Sequence, residues 1–122
     1  MKILITGGSG YLGLHLAEAL IKEKHSVRLY MRSKPKHHYL DELAVELHFG
    51  DILNQIELEK AMHGVDVVFH TAGIISYNPA KADLMLQTNV IGTRNVCAAA
   101  VRRRVQRLIY TSSSAAIGIN QD

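Results

Sequence analysis

The sequence predicts an α/β fold in which one parallel sheet is doubly wound, with helices on both faces. Two observations carry this reading. Short apolar runs alternate along the chain with stretches whose apolar residues recur at helical spacing. The first run is joined to the first helical stretch by a glycine-rich turn, Thr6-Gly7-Gly8-Ser9-Gly10-Tyr11-Leu12-Gly13. Strand–helix alternation of this kind yields parallel strands joined by covering crossovers.

The elements follow in order. Met1 to Ile5 is a strand, and Leu14 to Lys24 a helix. Ser26 to Met31 is a second strand, Ser33 to His38 a polar loop containing Pro35, and Tyr39 to Leu43 a short helix. Val45 to Phe49 is a third strand, ending at Gly50-Asp51. Leu53 to His63 is helical and is stopped by Gly64. Asp66 to His70 is a fourth strand, Thr71 to Pro79 a loop, and Ala80 to Arg103 a long helix interrupted only by Gly92. Gln106 to Thr111 is a fifth strand, and Ser112 to Asp122 shows no clear period. Right-handed crossovers and the usual winding give strand order 3-2-1-4-5, with a ligand expected across the carboxyl ends of strands 1 and 4, where the winding reverses. The 122 residues are read as one domain, 1–122, without repeats or low-complexity tracts.

Composition narrows the function classes. With 48% hydrophobic and 20% charged residues the chain is an ordinary globular one. No apolar run is long enough to cross a membrane and no signal peptide is evident, so a cytoplasmic location is expected. Cys97 is the only cysteine, stands among alanines and reads as a small buried hydrophobe. Net charge is +3. Arg102-Arg103-Arg104 and Arg107 lack interleaved aromatics and read as solvated cations at a helix end, not as a nucleic-acid surface. None of the seven histidines stands at metal-ligand spacing, so no metal site is expected; His63 and His70, which flank the fourth strand, read as structural.

The chemistry sits at the strand ends. Between a strand and a helix, a glycine-rich turn brings backbone N–H groups close to a pyrophosphate at the positive end of the helix. Two registers fit: Gly8-x-Gly10-x-x-Gly13, the general Rossmann fingerprint, and Thr6-Gly7-x-x-Gly10-x-x-Gly13. After the second strand, where an acid would hold a ribose 2′-hydroxyl, the chain reads Tyr30-Met31-Arg32-Ser33. Arg32 offers a fork to a 2′-phosphate, and Lys34 and Lys36 add positive charge nearby, which favours NADP over NAD. Asp51 can accept from an adenine amino group or can cap and turn the chain. Ala72 and Gly73 are small enough for the backbone to pass close to a cofactor ribose. Asn89 and Gly92 are poor helix-interior residues and signal a kink, a side chain with another task, or simply tolerated weak positions. Tyr110-Thr111-Ser112-Ser113-Ser114 either places hydroxyls at the switch point or simply begins a loop.

Taken jointly, Thr-Gly-x-x-Gly-x-x-Gly, Gly50-Asp51, His70-Thr71-Ala72-Gly73, Asn89-Val90-Ile91-Gly92-Thr93 and Tyr110-Thr111-Ser112-Ser113 resemble, in order and spacing, the extended short-chain dehydrogenase/reductase family of epimerases, dehydratases, dihydroflavonol reductases and 3β-hydroxysteroid dehydrogenases. The resemblance covers nearly the whole chain and selects the second register. It implies that Gly7, Gly10 and Gly13 hold the pyrophosphate, with Tyr11 and Leu12 in the same turn. It implies that Asp51, beside Ile52, holds the adenine, that Ala72 and Gly73 line the nicotinamide ribose, and that Thr111 and Ser112 border the cofactor. Asn89 matches the asparagine that props a proton relay. Ser113 matches the serine that hydrogen-bonds a carbonyl or alcohol substrate. The Arg32 surroundings look most like the reductase branch.

The family's catalytic tyrosine, followed four residues later by lysine, falls about 25 residues beyond that serine, past Asp122. Tyr30/Lys34 and Tyr77/Lys81 have the right spacing but the wrong setting: the first straddles a strand end, and the second has Pro79 inside it. The chain therefore reads as the first part of an oxidoreductase, incomplete relative to the family and inactive alone, that binds NADP and a small carbonyl or alcohol substrate. The alternative is a non-catalytic dinucleotide-binding sensor or scaffold. An exposed fifth-strand edge and the apolar residues Leu84, Leu86, Val90, Val96 and Val101 of the long helix lead to an expected homodimer.

Overall fold

The computed structural model describes residues 1–117. Five strands, β1 (Lys2–Thr6), β2 (Ser26–Met31), β3 (Val45–Phe49), β4 (Val67–His70) and β5 (Arg107–Tyr110), form one parallel sheet in the order β3-β2-β1-β4-β5. This is the expected Rossmann order, with each strand end shifted by at most a residue or two.

β1 alternates its side chains between two apolar layers, so a strand buried on both faces reads as one apolar run. Ile3 and Ile5 join Leu14, Ala17, Val27, Leu29 and Met31 under helix α1 (Tyr11–Lys22). Leu4 joins Tyr30, Leu58, Met62, Val68 and Val96 on the other face, under α2 (Gln55–Ala61) and α4 (Gly92–Arg102). α1 starts a turn earlier than apolar spacing indicates, because Gly10 at its N-cap ends the turn. It stops at Lys22, and Lys24 takes the left-handed φ of 64° that reverses the chain. α2 starts late, at Gln55, because the Asn54 side chain accepts from Glu57 N–H at 3.1 Å. The short helix at 39–42 is a 3₁₀ turn.

The long helix runs on without a break but changes its winding around one of its weak residues. A 3₁₀ turn (Pro79–Lys81) leads into α3 (Ala82–Leu86), then a π-turn (Gln87–Ile91), then α4. Asn89 is the middle residue of that π-turn. Val96 is fully buried, contrary to its expected place on an apolar outer flank, whereas Leu84, Leu86, Val90 and Val101 are exposed. Cys97 is half-buried rather than buried. Arg102 binds Glu59 of the neighbouring helix at 3.0 Å. Among the described residues no helix is long and apolar enough to cross a membrane.

The parallel register lines up one residue from each strand just below the carboxyl edge: His48, Tyr30, Thr6, His70 and Tyr110. A polar and aromatic row thus crosses the whole sheet. Tyr30 stacks on His48 at 5.7 Å and His70 on Tyr110 at 5.4 Å.

Candidate functional site

The β1–α1 turn uses its glycines for different purposes. Gly7 has φ of 72°, and a Cβ there would lie 2.8 Å from the Ala72 backbone. A Cβ on Gly13 would lie 2.4 Å from the Gly7 carbonyl oxygen, so α1 can rest on the turn only without a side chain at this point. Gly8 is buried against Leu29, which it would strike at 2.8 Å, so it faces the protein and not the open side of the turn. Gly10 differs from all three. It is exposed, its backbone is extended, and an added Cβ would meet only the Gly7 carbonyl oxygen, at 3.4 Å. The protein's own packing therefore does not require glycine at position 10, and the space above it is open. No side chain caps α1, so the first-turn N–H groups face that space without a side-chain acceptor. An open cradle at a helix N-terminus suits a phosphate-bearing ligand.

The turn forms one end of a cleft along the carboxyl ends of the strands, at the switch point between β1 and β4. Gly7, Ser9 and Gly10 line one part, and Tyr30, Met31 and Arg32 follow from β2. Gly50, Asp51, Ile52 and Leu53 come from the end of β3, and Thr71 to Ile74 from the end of β4. Leu84 and Thr88, one helical turn apart, close the far side. Seven of the residues singled out in the sequence thus meet in one cleft: Gly7, Gly10, Arg32, Asp51, Ile52, Ala72 and Gly73. Tyr11, Leu12, Gly13, Asn89, Thr111, Ser112 and Ser113 do not line it. Tyr11 is exposed and packs its ring at a tilt against His15, 4.3 Å between centroids, and Leu12 is exposed beside it. Thr111 to Ser113 lie exposed past β5, with the Ser113 carbonyl accepting from Ala116 N–H at 3.0 Å.

Sequence reasoning missed Ser9, Tyr30, Met31, Leu53, Ile74, Leu84 and Thr88 as cleft walls. The signal for Tyr30 and Met31 was present, since both precede Arg32 at a strand's carboxyl end. Of the basic loop's lysines, Lys34 has an acidic partner. Lys34 binds Asp41 at 2.6 Å, and His38 takes the other carboxylate oxygen at 3.2 Å. These contacts, Lys34 first, hold the Asp41 carboxyl below its usual range. The Lys34 charge is therefore compensated, whereas Arg32 is exposed and has no ion pair among the described residues.

Of the two tasks weighed for Asp51, the structure shows the turn, and it also places the residue on the cleft wall. Its carboxylate turns the chain, with Oδ1 accepting from Leu53 N–H at 2.9 Å, and it is also an exposed part of the cleft wall. Asn89 spends its whole amide on one neighbour: Oδ1 accepts from Ile74 N–H at 2.9 Å, and Nδ2 donates to the Ile74 carbonyl at 2.8 Å. The π-turn thereby holds the loop that follows β4.

Beneath this loop lies a continuous buried hydrogen-bond chain. Thr93 Oγ1 donates to the Asn89 carbonyl at 2.6 Å, so toward His70 Nε2, at 2.8 Å, it acts as acceptor. His70 therefore carries its proton on Nε2, and Nδ1 accepts from Thr6 Oγ1–H at 2.7 Å. Thr6 Oγ1 in turn accepts from the N–H groups of Thr71 and Ala72, each at 3.2 Å. Residues from β1, β4 and the helix end are locked together, and every donor in the chain has an acceptor. Desolvation of the fully buried His70 ring lowers its pKa to about 4, so it is neutral, as this chain requires.

Neither tyrosine–lysine pair forms a relay. The Tyr30 hydroxyl donates to the Asp51 carbonyl, while Lys34 is bound to Asp41. Tyr77 is 95% exposed and precedes the 3₁₀ turn that contains Lys81, so the two do not share an α-helical face. Among the described residues no three His, Cys, Asp or Glu side chains are grouped to hold a metal.

The sequence model of the NAD dependent epimerase/dehydratase family matches residues 3–122. Over 120 residues the chain is 37% identical to sterol demethylase protein B of Methylococcus capsulatus, covering 98% of this chain and 37% of that protein. It is 35% identical over 116 residues to the decarboxylating sterol-4-alpha-carboxylate 3-dehydrogenase of Mus musculus, covering 95% of this chain and 31% of that one. A short-chain dehydrogenase/reductase superfamily protein from Agrobacterium tumefaciens, crystallised with bound NAD, superposes with a TM-score of 0.81 at 30% identity, covering 93% of this chain and 33% of that one. The chain thus spans about a third of the length of the proteins it matches.

Proposed function

Because the chain belongs to the NAD-dependent epimerase/dehydratase family, we propose that it is the dinucleotide-binding part of an oxidoreductase that uses NADP in preference to NAD. The observation that carries the dinucleotide reading is the open cradle over Gly10, where a Cβ would meet only the Gly7 carbonyl oxygen at the uncapped start of α1. The residues present fit such a cofactor. The turn from Gly7 to Gly13, with Tyr11 and Leu12 in it, would hold the pyrophosphate against backbone N–H groups. Asp51 and Ile52 would take the adenine side, and Ala72 and Gly73 the nicotinamide ribose. Thr111 and Ser112, beyond β5, would border the nicotinamide end. Arg32 would bind a 2′-phosphate, and its lack of an acidic partner supports NADP over NAD.

When bound, a nicotinamide exchanges hydride with the carbon of a carbonyl or alcohol, the substrate class proposed here. The chain's own residues supply binding and orientation. Ser113 would donate a hydrogen bond to the substrate oxygen. Asn89 would act by holding the loop at Ile74, through which it sets the cleft wall beside the substrate. Proton transfer is left to groups other than Tyr30 and Tyr77. Titration calorimetry with NADPH and NADH tests the reading: saturable binding with NADPH the tighter ligand is expected. Equal or reversed affinities would remove the NADP preference, and absence of binding to either would remove the dinucleotide reading itself.

A further inference from the structure

We infer that Tyr30 is a positioning residue for the adenine-side wall of the cleft: its hydroxyl, reaching through the gap left by Gly50, fixes Asp51. This rests on the dinucleotide reading above. Tyr30 is the penultimate residue of β2, and its ring is buried in the layer formed by Leu4, Ile52, Leu58 and Met62. A phenylalanine would fill that layer equally well. The hydroxyl adds only one thing, a 2.7 Å donation to the Asp51 carbonyl.

That carbonyl also accepts from Asn54 N–H at 2.9 Å, and Asp51 Oδ1 accepts from Leu53 N–H. Asp51 is thus held at its carbonyl from two sides and at one carboxylate oxygen. Its Oδ2 is left without a protein partner among the described residues, and Asp51 is part of the cleft wall. Gly50 is part of the device, since a Cβ there would lie 2.4 Å from the Tyr30 hydroxyl oxygen. The ring is steadied from below by His48, which stacks on it and is bound to Glu57 of α2 at 3.1 Å. Burial first, then the charges of Glu57 and Asp51, push the phenol's pKa well above its usual range, so it remains a donor at every working pH. A carboxylate that must meet one edge of an adenine gains from being fixed in advance, because less ordering remains to be done on binding.

The test is Tyr30→Phe in the purified protein, with three probes: NADPH, ADP-ribose and nicotinamide mononucleotide. Loss of one neutral hydrogen bond in the wall should weaken NADPH and ADP-ribose by roughly five- to tenfold. Nicotinamide mononucleotide, which lacks the adenine side, should bind as before. A readout that needs no cofactor accompanies these: the amides of Leu53 and Asn54 should exchange hydrogen faster in the variant, while that of Leu4 in the sheet centre should not. Unchanged affinity for NADPH and ADP-ribose, with the parent protein binding both, overturns the inference alone. Equal weakening of all three probes also overturns it, by showing only a general loosening. Failure of the parent protein to bind any probe overturns the dinucleotide reading, and unchanged Leu53 and Asn54 exchange then overturns the positioning of Asp51 as well.

Discussion

Lowering the pH from 7.5 to 5 should remove about 2 kcal/mol of folding stability through one residue, His70. In the folded protein its ring is fully buried, donates through Nε2 to Thr93, accepts at Nδ1 from Thr6, and takes a proton only near pH 4. In the unfolded chain it protonates near pH 6.5. The unfolded state therefore binds more protons between these values, so the stability is fully present above pH 6.5 and lost as pH falls toward 4. The whole shift corresponds to about 3 kcal/mol, and the part lost by pH 5 to about 2 kcal/mol. For a chain of 122 residues this lowers Tm by roughly 8 °C. Glu18, Asp41, Glu46 and Glu57, whose carboxyls are lowered by their hydrogen-bond and ion-pair partners, lose their contributions at more acid pH. Urea unfolding at the two pH values, on the parent protein and on His70→Asn, isolates the effect, because the variant should lack this component. The ring proton resonances of His70 should show a midpoint near pH 4. A midpoint above 6, or equal pH dependence in parent and variant, would refute the reasoning.

The glycines of the first turn should separate stability from binding. Gly13→Ala forces Cβ onto the Gly7 carbonyl and should cost about 1–3 kcal/mol by thermal or urea unfolding. Gly10→Ala should cost no more than about 1 kcal/mol as a changed N-cap, yet weaken dinucleotide binding by roughly tenfold or more in a titration. Arg32→Ala should weaken NADPH by roughly 1.5–3 kcal/mol and leave NADH unchanged, as measured by calorimetry. With Leu84, Leu86, Val90 and Val101 exposed on the helix side and β5 at the sheet edge, the protein should sediment as a homodimer at micromolar concentration; a soluble monomer would refute this.

The fold was legible because each layer writes its own period into the chain. β1 and β4 are apolar through Ile3 to Ile5 and Val67 to Phe69 because both of their faces are covered there, and α1 and α4 bury one stripe each. Legibility failed where a single polar side chain decides a boundary. Asn54 delays α2 by capping it, which apolar spacing does not register. An irregularity in the long helix was foreseeable from Asn89, a poor helix former. Its π form was not, because it depends on the Asn89 side chain reaching Ile74 and on its carbonyl receiving Thr93. In the candidate site, residues adjacent to the strand ends were readable from topology. Tyr30 was readable in place, just before Arg32 at the end of β2, but not in role, because its hydroxyl's partner, the Asp51 carbonyl, shows only in the fold. The pairing of Lys34 was not readable, because Asp41 stands seven residues away and meets it only when the chain folds back.

The most direct test of the central claim is where a dinucleotide lands. Amide resonances of the isotope-labelled protein should be followed as NADPH is added to saturation. The largest shifts should fall on Gly10 to Gly13, at the start of α1, and on Thr71 to Gly73, after β4, with Arg32 and Asp51 following. Saturating shifts confined to another surface, such as Arg102 to Arg107, or no shifts at millimolar NADPH and NADH, would contradict it.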